Sequence, residues 1–135
     1  MTINEVMTHD PRTVEPETPV SEAARLMRDD DVGIVPVVEG DRLVGTVTDR
    51  DIAVRVVAEG RTGITKVGEI ASREIVTIDP QQDVDEAMRL MAEHQVRRLP
   101  VCEEDGRLVG IVAQADVARH ASEERTGETV ERISR

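Results

Sequence analysis

Apolar residues fall along this chain in two rhythms, and the rhythms change in the same order in two successive stretches. Val20, Ala23, Ala24 and Met27 recur at i, i+3, i+4 and i+7, as do Val84, Ala87, Met88 and Met91. That spacing puts each set on one face of a helix, and such a stripe, methionines included, is core. A short β-rich piece precedes each helix, Thr13-Val14 in one stretch and Ile75-Val76-Thr77-Ile78 in the other. Thr18-Pro19 predicts an N-cap followed by proline at the first helical position. The apolar runs Ile34 to Val38 and Leu99 to Cys102 then read as strands, with proline placed where no ladder donor is needed. Glu39-Gly40-Asp41 and Glu103 to Gly106 predict hairpin turns, and Leu43 to Val47 and Leu108 to Val112 the returning strands. A second helix is expected to open near Thr48 to Asp51, carry Ile52, Ala53, Val56 and Val57 inward, and stop at Gly60. Its counterpart runs from about Gln114 to Ser122.

The two stretches are copies of one another. Residues 2–38 fall on 66–102 without a gap, and Glu5/Glu69, Thr13/Thr77, Pro16/Pro80, Met27/Met91 and Pro36/Pro100 are among the identities. One extra residue near Glu104 then brings Arg42-Leu43-Val44-Gly45 onto Arg107-Leu108-Val109-Gly110 and Asp51 onto Asp116. A unit of about 60 residues buries little core alone, so the copies are expected to share one core about a pseudo-twofold axis, with a cleft between them. The fold class is therefore α/β (α+β), two tandem β-α-β-β-α repeats. Their expected bounds are 3–60 and 69–122, joined by a connector over 61–68. A polar stretch over 123–135 reads as a frayed tail or short terminal helix.

Composition narrows the partners. The 135 residues are 39% hydrophobic and 33% charged, which describes a soluble globular domain. No apolar run approaches the roughly 18 residues needed to span a membrane, and Met1-Thr2-Ile3-Asn4-Glu5 does not read as a signal peptide, so the cytoplasm is the expectation. Phe, Trp and Tyr are absent and the net charge is −11. Nucleic acid lacks both a basic stripe and aromatic stacking platforms here, and is not expected as a partner. Cys102, the single cysteine, reads as a small buried hydrophobe with no intrachain disulfide. His9, His94 and His120 show no metal-ligand spacing, so no metal site is expected. No nucleophile-base arrangement presents itself, which argues against an enzyme.

The segment Gly45-x-x-Thr48-x-x-Asp51 is where chemistry concentrates. It lies where a strand runs into a helix start, a place whose open N–H groups and dipole favour an anion. The Thr48 hydroxyl can donate to a phosphate oxygen, and the Asp51 carboxylate can accept from both hydroxyls of a ribose. Thr48 to Asp51 is equally a capping box, with an acid three residues after the cap. The second copy reads Ala113-Gln114-Ala115-Asp116: the cap hydroxyl is gone and the acid remains.

In its ordered motifs the chain resembles the CBS-domain pair, the regulatory module named after cystathionine β-synthase. The matching pieces are Val6-Met7-Thr8 with Thr13-Val14, Val32 to Val38, and Leu43 to Ile52. The second copy adds His94 to Val101 and Leu108 to Val117. The resemblance spans about residues 3–122, reads as a stand-alone pair without a catalytic domain, and implies an adenosine-containing ligand such as AMP, ADP or ATP. NAD and S-adenosylmethionine are less favoured. It implies that Thr48 contacts phosphate and that Asp51, with Asp116 in the second copy, holds ribose. Arg97 and Arg98, just before Leu-Pro-Val, are implied to reach phosphate where Ala113 cannot, or else are solvated surface. Thr13, Val14, Pro36 and Val37 on one side, with Thr77, Ile78 and Pro100 on the other, either wall the purine site or are plain β-core. The ligand would be regulatory, with no cofactor required. A ligand-free interaction module, or a subunit regulating a separate enzyme or transporter through an unidentified protein partner, stays open. A homodimer is expected through outer helix positions Ala24, Met27, Met88, Met91, Val56 and Val57.

Overall fold

The computed structural model describes residues 1–121. Ser122 and the expected tail over 123–135 lie outside the described residues. In chain order the elements are α1 (Ile3–Val6), β1 (Thr8–His9), α2 (Val20–Asp30), β2 (Ile34–Glu39), β3 (Arg42–Thr48), α3 (Asp49–Ile52), α4 (Val84–His94), β4 (Arg98–Cys102) and β5 (Leu108–Ala113). A wide π turn covers Ala53–Val57, a 3-10 turn covers Val67–Glu69, and residues 114–121 are helical.

These elements form two compact units whose boundaries run across the repeats. One unit gathers Asp10–Ile75 with Glu104–Leu108; the other gathers Met1–His9, Val76–Glu103 and the described residues from Val109 on. In the first, β2 and β3 pair antiparallel from Ile34↔Thr48 to Glu39↔Arg42, with a register slip at Val37/Val38. Val14 adds a parallel bridge to Val37, and Ser72 an antiparallel bridge to Thr46. In the second, the strand order is β1-β5-β4, Thr8 pairs with Ile111, and Ile78 bridges Val101 in parallel. Thr8 and Ser72 are repeat mates, and so are Thr46 and Ile111. Each sheet is therefore edged by the leading segment of the other repeat.

Both cores are assembled by the same exchange. Val67 and Ile70 are buried with Val20, Ala23, Met27, Val35, Val37 and Val47 in one unit. Ile3 and Met7, their repeat mates or neighbours, are buried with Ala87, Met91, Leu99, Val101 and Val112 in the other. Full burial of one such side chain is worth about 1.5–3 kcal/mol, so a leading segment with two or three of them is held firmly. Glycine makes the edge pairing possible. A Cβ at Gly45 would lie 2.8 Å from the Ser72 carbonyl oxygen, and one at Gly110 would lie 2.8 Å from that of Thr8. Gly45 thus belongs to strand packing rather than to the chemistry of the motif that follows it.

Four expectations change. Pro19, not Thr18, is the N-cap of α2. The Thr18 hydroxyl accepts the Glu15 N–H at 3.0 Å, closing a turn one residue too early to cap. Gln82 treats Asp79 the same way at 3.1 Å, leaving Asp83 to cap α4 by accepting the Asp85 N–H at 2.9 Å. The β-rich piece over Ile75 to Ile78 contracts to the single bridge at Ile78. Val56 is buried as expected, but Ala53 is exposed and Val57 is 70% exposed. There the helix widens, Ala58 N–H bonding the Ala53 carbonyl five residues back, and the inward stripe rotates. Finally, Met27, Met91 and Val56 are core at 8%, 3% and 3% exposure, not outer surface for a second copy.

Candidate functional site

β3 ends at Thr48, whose extended backbone (φ −115°, ψ 163°) turns the chain into α3. There Asp51 N–H donates to Thr48 Oγ1 at 3.0 Å, and Thr48 N–H donates to Asp51 Oδ2 at 2.9 Å. The Asp51 side chain is 15% exposed. Each side chain thereby fixes the other, which leaves the Thr48 hydroxyl proton and Asp51 Oδ1 as the remaining polar capacity. One turn on, Arg55 Nε stands 3.9 Å from Asp51 Oδ1, and Arg55 Nη1 donates to the Ile70 carbonyl at 3.0 Å.

The expected anion cradle of open backbone N–H groups is not what this helix start offers. Asp49 N–H donates to the Gly33 carbonyl at 3.0 Å, Arg50 N–H to Asp49 Oδ1 at 2.8 Å, and Asp51 N–H to Thr48. All three first-turn amides are already paired within the protein, and Asp49 and Asp51 supply the negative charge that the dipole favours. What remains can accept from a diol at Asp51 Oδ1 and give one proton from Thr48.

The matching place in the other unit differs in charge. Gln114 N–H donates to the Arg97 carbonyl at 2.8 Å, as Asp49 does to Gly33. Ala113 has no side-chain oxygen to hold Asp116 N–H. Asp116, 22% exposed, instead accepts from Arg119 Nη2 on Oδ1 at 3.0 Å. Arg97 is exposed, and Arg98, half-buried, opens β4. A Cβ at Gly33 would meet Asp49 Oδ2 at 3.1 Å, so the small residue and the acid go together there, as Arg97 and neutral Gln114 do here.

Of the remaining expected residues, Thr13, Val14, Pro36 and Val37 come together in one unit, with Thr77, Ile78 and Pro100 in the other. Val14 N–H donates to the Pro36 carbonyl at 3.0 Å, and Ile78 N–H to the Pro100 carbonyl at 3.1 Å. Val14, Val37 and Ile78 bury their side chains in the cores at 5%, 1% and 2% exposure, and Pro36 and Pro100 are buried too. Only Thr13 and Thr77 of this set are exposed. An open groove of about 670 Å³ runs along Arg12, Thr13, Val14 and Glu15 against Glu22 and Arg25 of α2. A smaller hollow of about 190 Å³ touches Val37, Gly45, Gly68 and Arg73. Neither of these reaches Thr48 or Asp51.

Among the described residues, no group of three or more His, Cys, Asp or Glu could hold a metal ion. Cys102 is buried, and burial pushes its thiol up from 9.0 to about 11. No helix among the described residues is long and apolar enough to cross a membrane. Arg55, Asp49 and the Ile70 carbonyl were not singled out by the sequence patterns. The i, i+4 spacing of Asp51 and Arg55 is a signal that could have found the arginine; no residue pattern marks a backbone carbonyl.

The chain is similar to known proteins in sequence and in fold. The family model for the CBS domain matches residues 3–58 and 67–123. The CBS domain-containing protein YhcV of Bacillus subtilis is 44% identical over 133 residues, covering 98% of this chain and 94% of its own. The crystal structure of Hypoxic Response Protein I with two coordinated zinc ions superposes with a TM-score of 0.81 at 40% identity, over 89% of this chain and 98% of that one. The structure of CBSX2 in complex with AMP gives a TM-score of 0.81 at 28% identity, over 92% and 98% of the two chains.

Proposed function

The chain belongs to the CBS-domain family, and from that premise we propose that it is a regulatory, non-catalytic protein that binds an adenosine-containing ligand, AMP in the first instance. The observation that carries this reading is the reciprocal Thr48–Asp51 pair, which leaves a carboxylate oxygen and a hydroxyl proton for a ribose and its 5′ substituent. The AMP bound by CBSX2 supports the choice of ligand. Occupancy would report energy or metabolite state to a protein partner. A ligand biases a conformation only through its difference in affinity between two states, so the signal is a shift in population. Arg97, Arg98 and Asp116 would serve the second unit, and Thr13, Thr77 and the buried residues beside them would supply rigid backbone around the base.

Circular dichroism melting tests this, since the chain has no Trp or Tyr to follow by fluorescence. AMP at about 100 times its dissociation constant should add roughly 2.7 kcal/mol of stability. Asp51→Ala should remove most of that gain while the variant still melts cooperatively. No shift with any adenosine phosphate at millimolar concentration sinks the reading. A ligand-free interaction module is the second reading, favoured by one observation: Thr48 and Asp51 already satisfy each other as a cap. Under it, Asp51→Ala lowers stability equally with and without AMP.

A homodimer is part of the proposal. Its apolar contribution would come from Val54, Val57 and Ile64, which are 48%, 70% and 83% exposed. With a net charge of −11, association should strengthen as salt screens like charges. Light scattering that gives a monomer mass at low and high salt alike refutes it.

A further inference from the structure

We propose that Arg55 is a positioning residue for Asp51: anchored on the Ile70 carbonyl, it holds a fixed positive charge beside Asp51 Oδ1 without occupying that oxygen. The inference rests on the adenosyl reading above and adds the residue that makes Asp51 selective for a ribose diol. Three observations carry it. Arg55 Nη1 donates at 3.0 Å to the carbonyl of Ile70, itself 1% exposed and part of the core, so the guanidinium is hydrogen-bonded to backbone rather than to the carboxylate. Arg55 Nε lies 3.9 Å from Asp51 Oδ1, close enough for charge attraction and too far for a hydrogen bond. The second carboxylate oxygen is taken by Thr48 N–H at 2.9 Å, so the group is held at both ends with one oxygen left to accept.

The other unit gives the contrast. Asp116 Oδ1 accepts directly from Arg119 Nη2 at 3.0 Å, and that arginine is 71% exposed with only Asp116 as its ion-pair partner among the described residues. Arg119 stands three residues after its acid and Arg55 four, and their repeat mates are Val54 and His120. One acid accepts directly from an exposed arginine; the other stands beside an arginine, 52% exposed, that donates to backbone instead. At Asp116 a ribose would meet an Oδ1 that already accepts from Arg119, whereas Asp51 Oδ1 accepts no hydrogen bond from Arg55.

The test is calorimetric titration of the full chain with AMP and with 2′,3′-dideoxyadenosine 5′-monophosphate, which lacks the diol. Arg55→Ala should weaken AMP about tenfold, and the dideoxy compound, already weaker, less than about twofold. Arg55→Lys keeps the charge but cannot reach both partners, and should fall between; it also carries the test should Arg55→Ala fail to fold by circular dichroism. An Arg55→Ala protein that binds AMP as the native protein does, or that loses both compounds equally, overturns the positioning role. Native protein that gives no heat with AMP at millimolar concentration overturns the adenosyl reading, and the role of Arg55 with it.

Discussion

Thr48 and Ala113 occupy the same place in the two repeats, and one hydroxyl separates them. At Thr48 the side chain accepts Asp51 N–H at 3.0 Å; at Ala113 the first turn has no such acceptor. Thr48→Ala should therefore cost about 1 kcal/mol of stability, and Ala113→Thr should return a similar amount, both measured by urea unfolding. An unchanged midpoint in both variants would show that neither helix start depends on its cap. Cys102 makes a second prediction. Its folded thiol is raised to about 11 from 9.0 by burial, so its contribution to stability is complete below pH 9 and is lost as pH rises toward 11. The thiol should resist a disulfide reagent at pH 8 until the protein unfolds, and rapid reaction of the native protein would contradict its burial. The acid and the threonine of this site could be read from their spacing. The pairing of every first-turn amide could not, because Gly33 contributes only a carbonyl and Asp49 only a local bond to Arg50.

Helices α2 and α4 both end on a residue that sequence patterns do not recommend. Asp31 (φ 53°) and Gln95 (φ 54°) adopt the left-handed conformation at the C-cap, and their N–H groups bond the Met27 and Met91 carbonyls. Glycine takes this conformation without the steric penalty of a Cβ, which is about 1–2 kcal/mol. It also loses more freedom on folding, so the net gain expected for Asp31→Gly or Gln95→Gly is roughly 0.5–1 kcal/mol each. The two sit in separate units, so their effects should add in the double variant. Thermal unfolding that shows either change to be destabilising would mean these side chains hold something besides the turn. The helices themselves were legible because their stripes at Val20, Ala23, Met27 and at Ala87, Met91 coincide with what is buried. The start of α2 lies one residue beyond its expected place because Thr18 spends its oxygen on the preceding turn, a competition between local bonds that spacing alone does not decide. Val57 was misplaced because a π turn changes the period on which the reading relies.

The repeat predicts two similar units, but not which segments join them. An offset of 64 is silent on whether residues 2–9 pack with their own repeat or with the next one, since Ile3 and Val67 are nearly interchangeable in size and pattern. The structure resolves this in favour of exchange: Ile3 is buried with Ala87, Leu99 and Val101, and Ile70 with Val20, Val35 and Val47. Cutting a fully buried isoleucine to alanine costs about 2–5 kcal/mol, and local openings report where that loss is felt. Ile3→Ala should thus speed amide hydrogen exchange in α4, β4 and β5, and leave α2, β2 and β3 closer to native rates. Ile70→Ala should do the reverse. Neither side chain has a polar atom to offer Thr48 or Asp51, yet Ile70 carries the carbonyl that anchors Arg55 at 3.0 Å. Its truncation should for that reason also weaken AMP, while Ile3→Ala should not. Exchange that quickens in α2, β2 and β3 upon Ile3→Ala would assign the leading segment to its own repeat and refute the interleaved core.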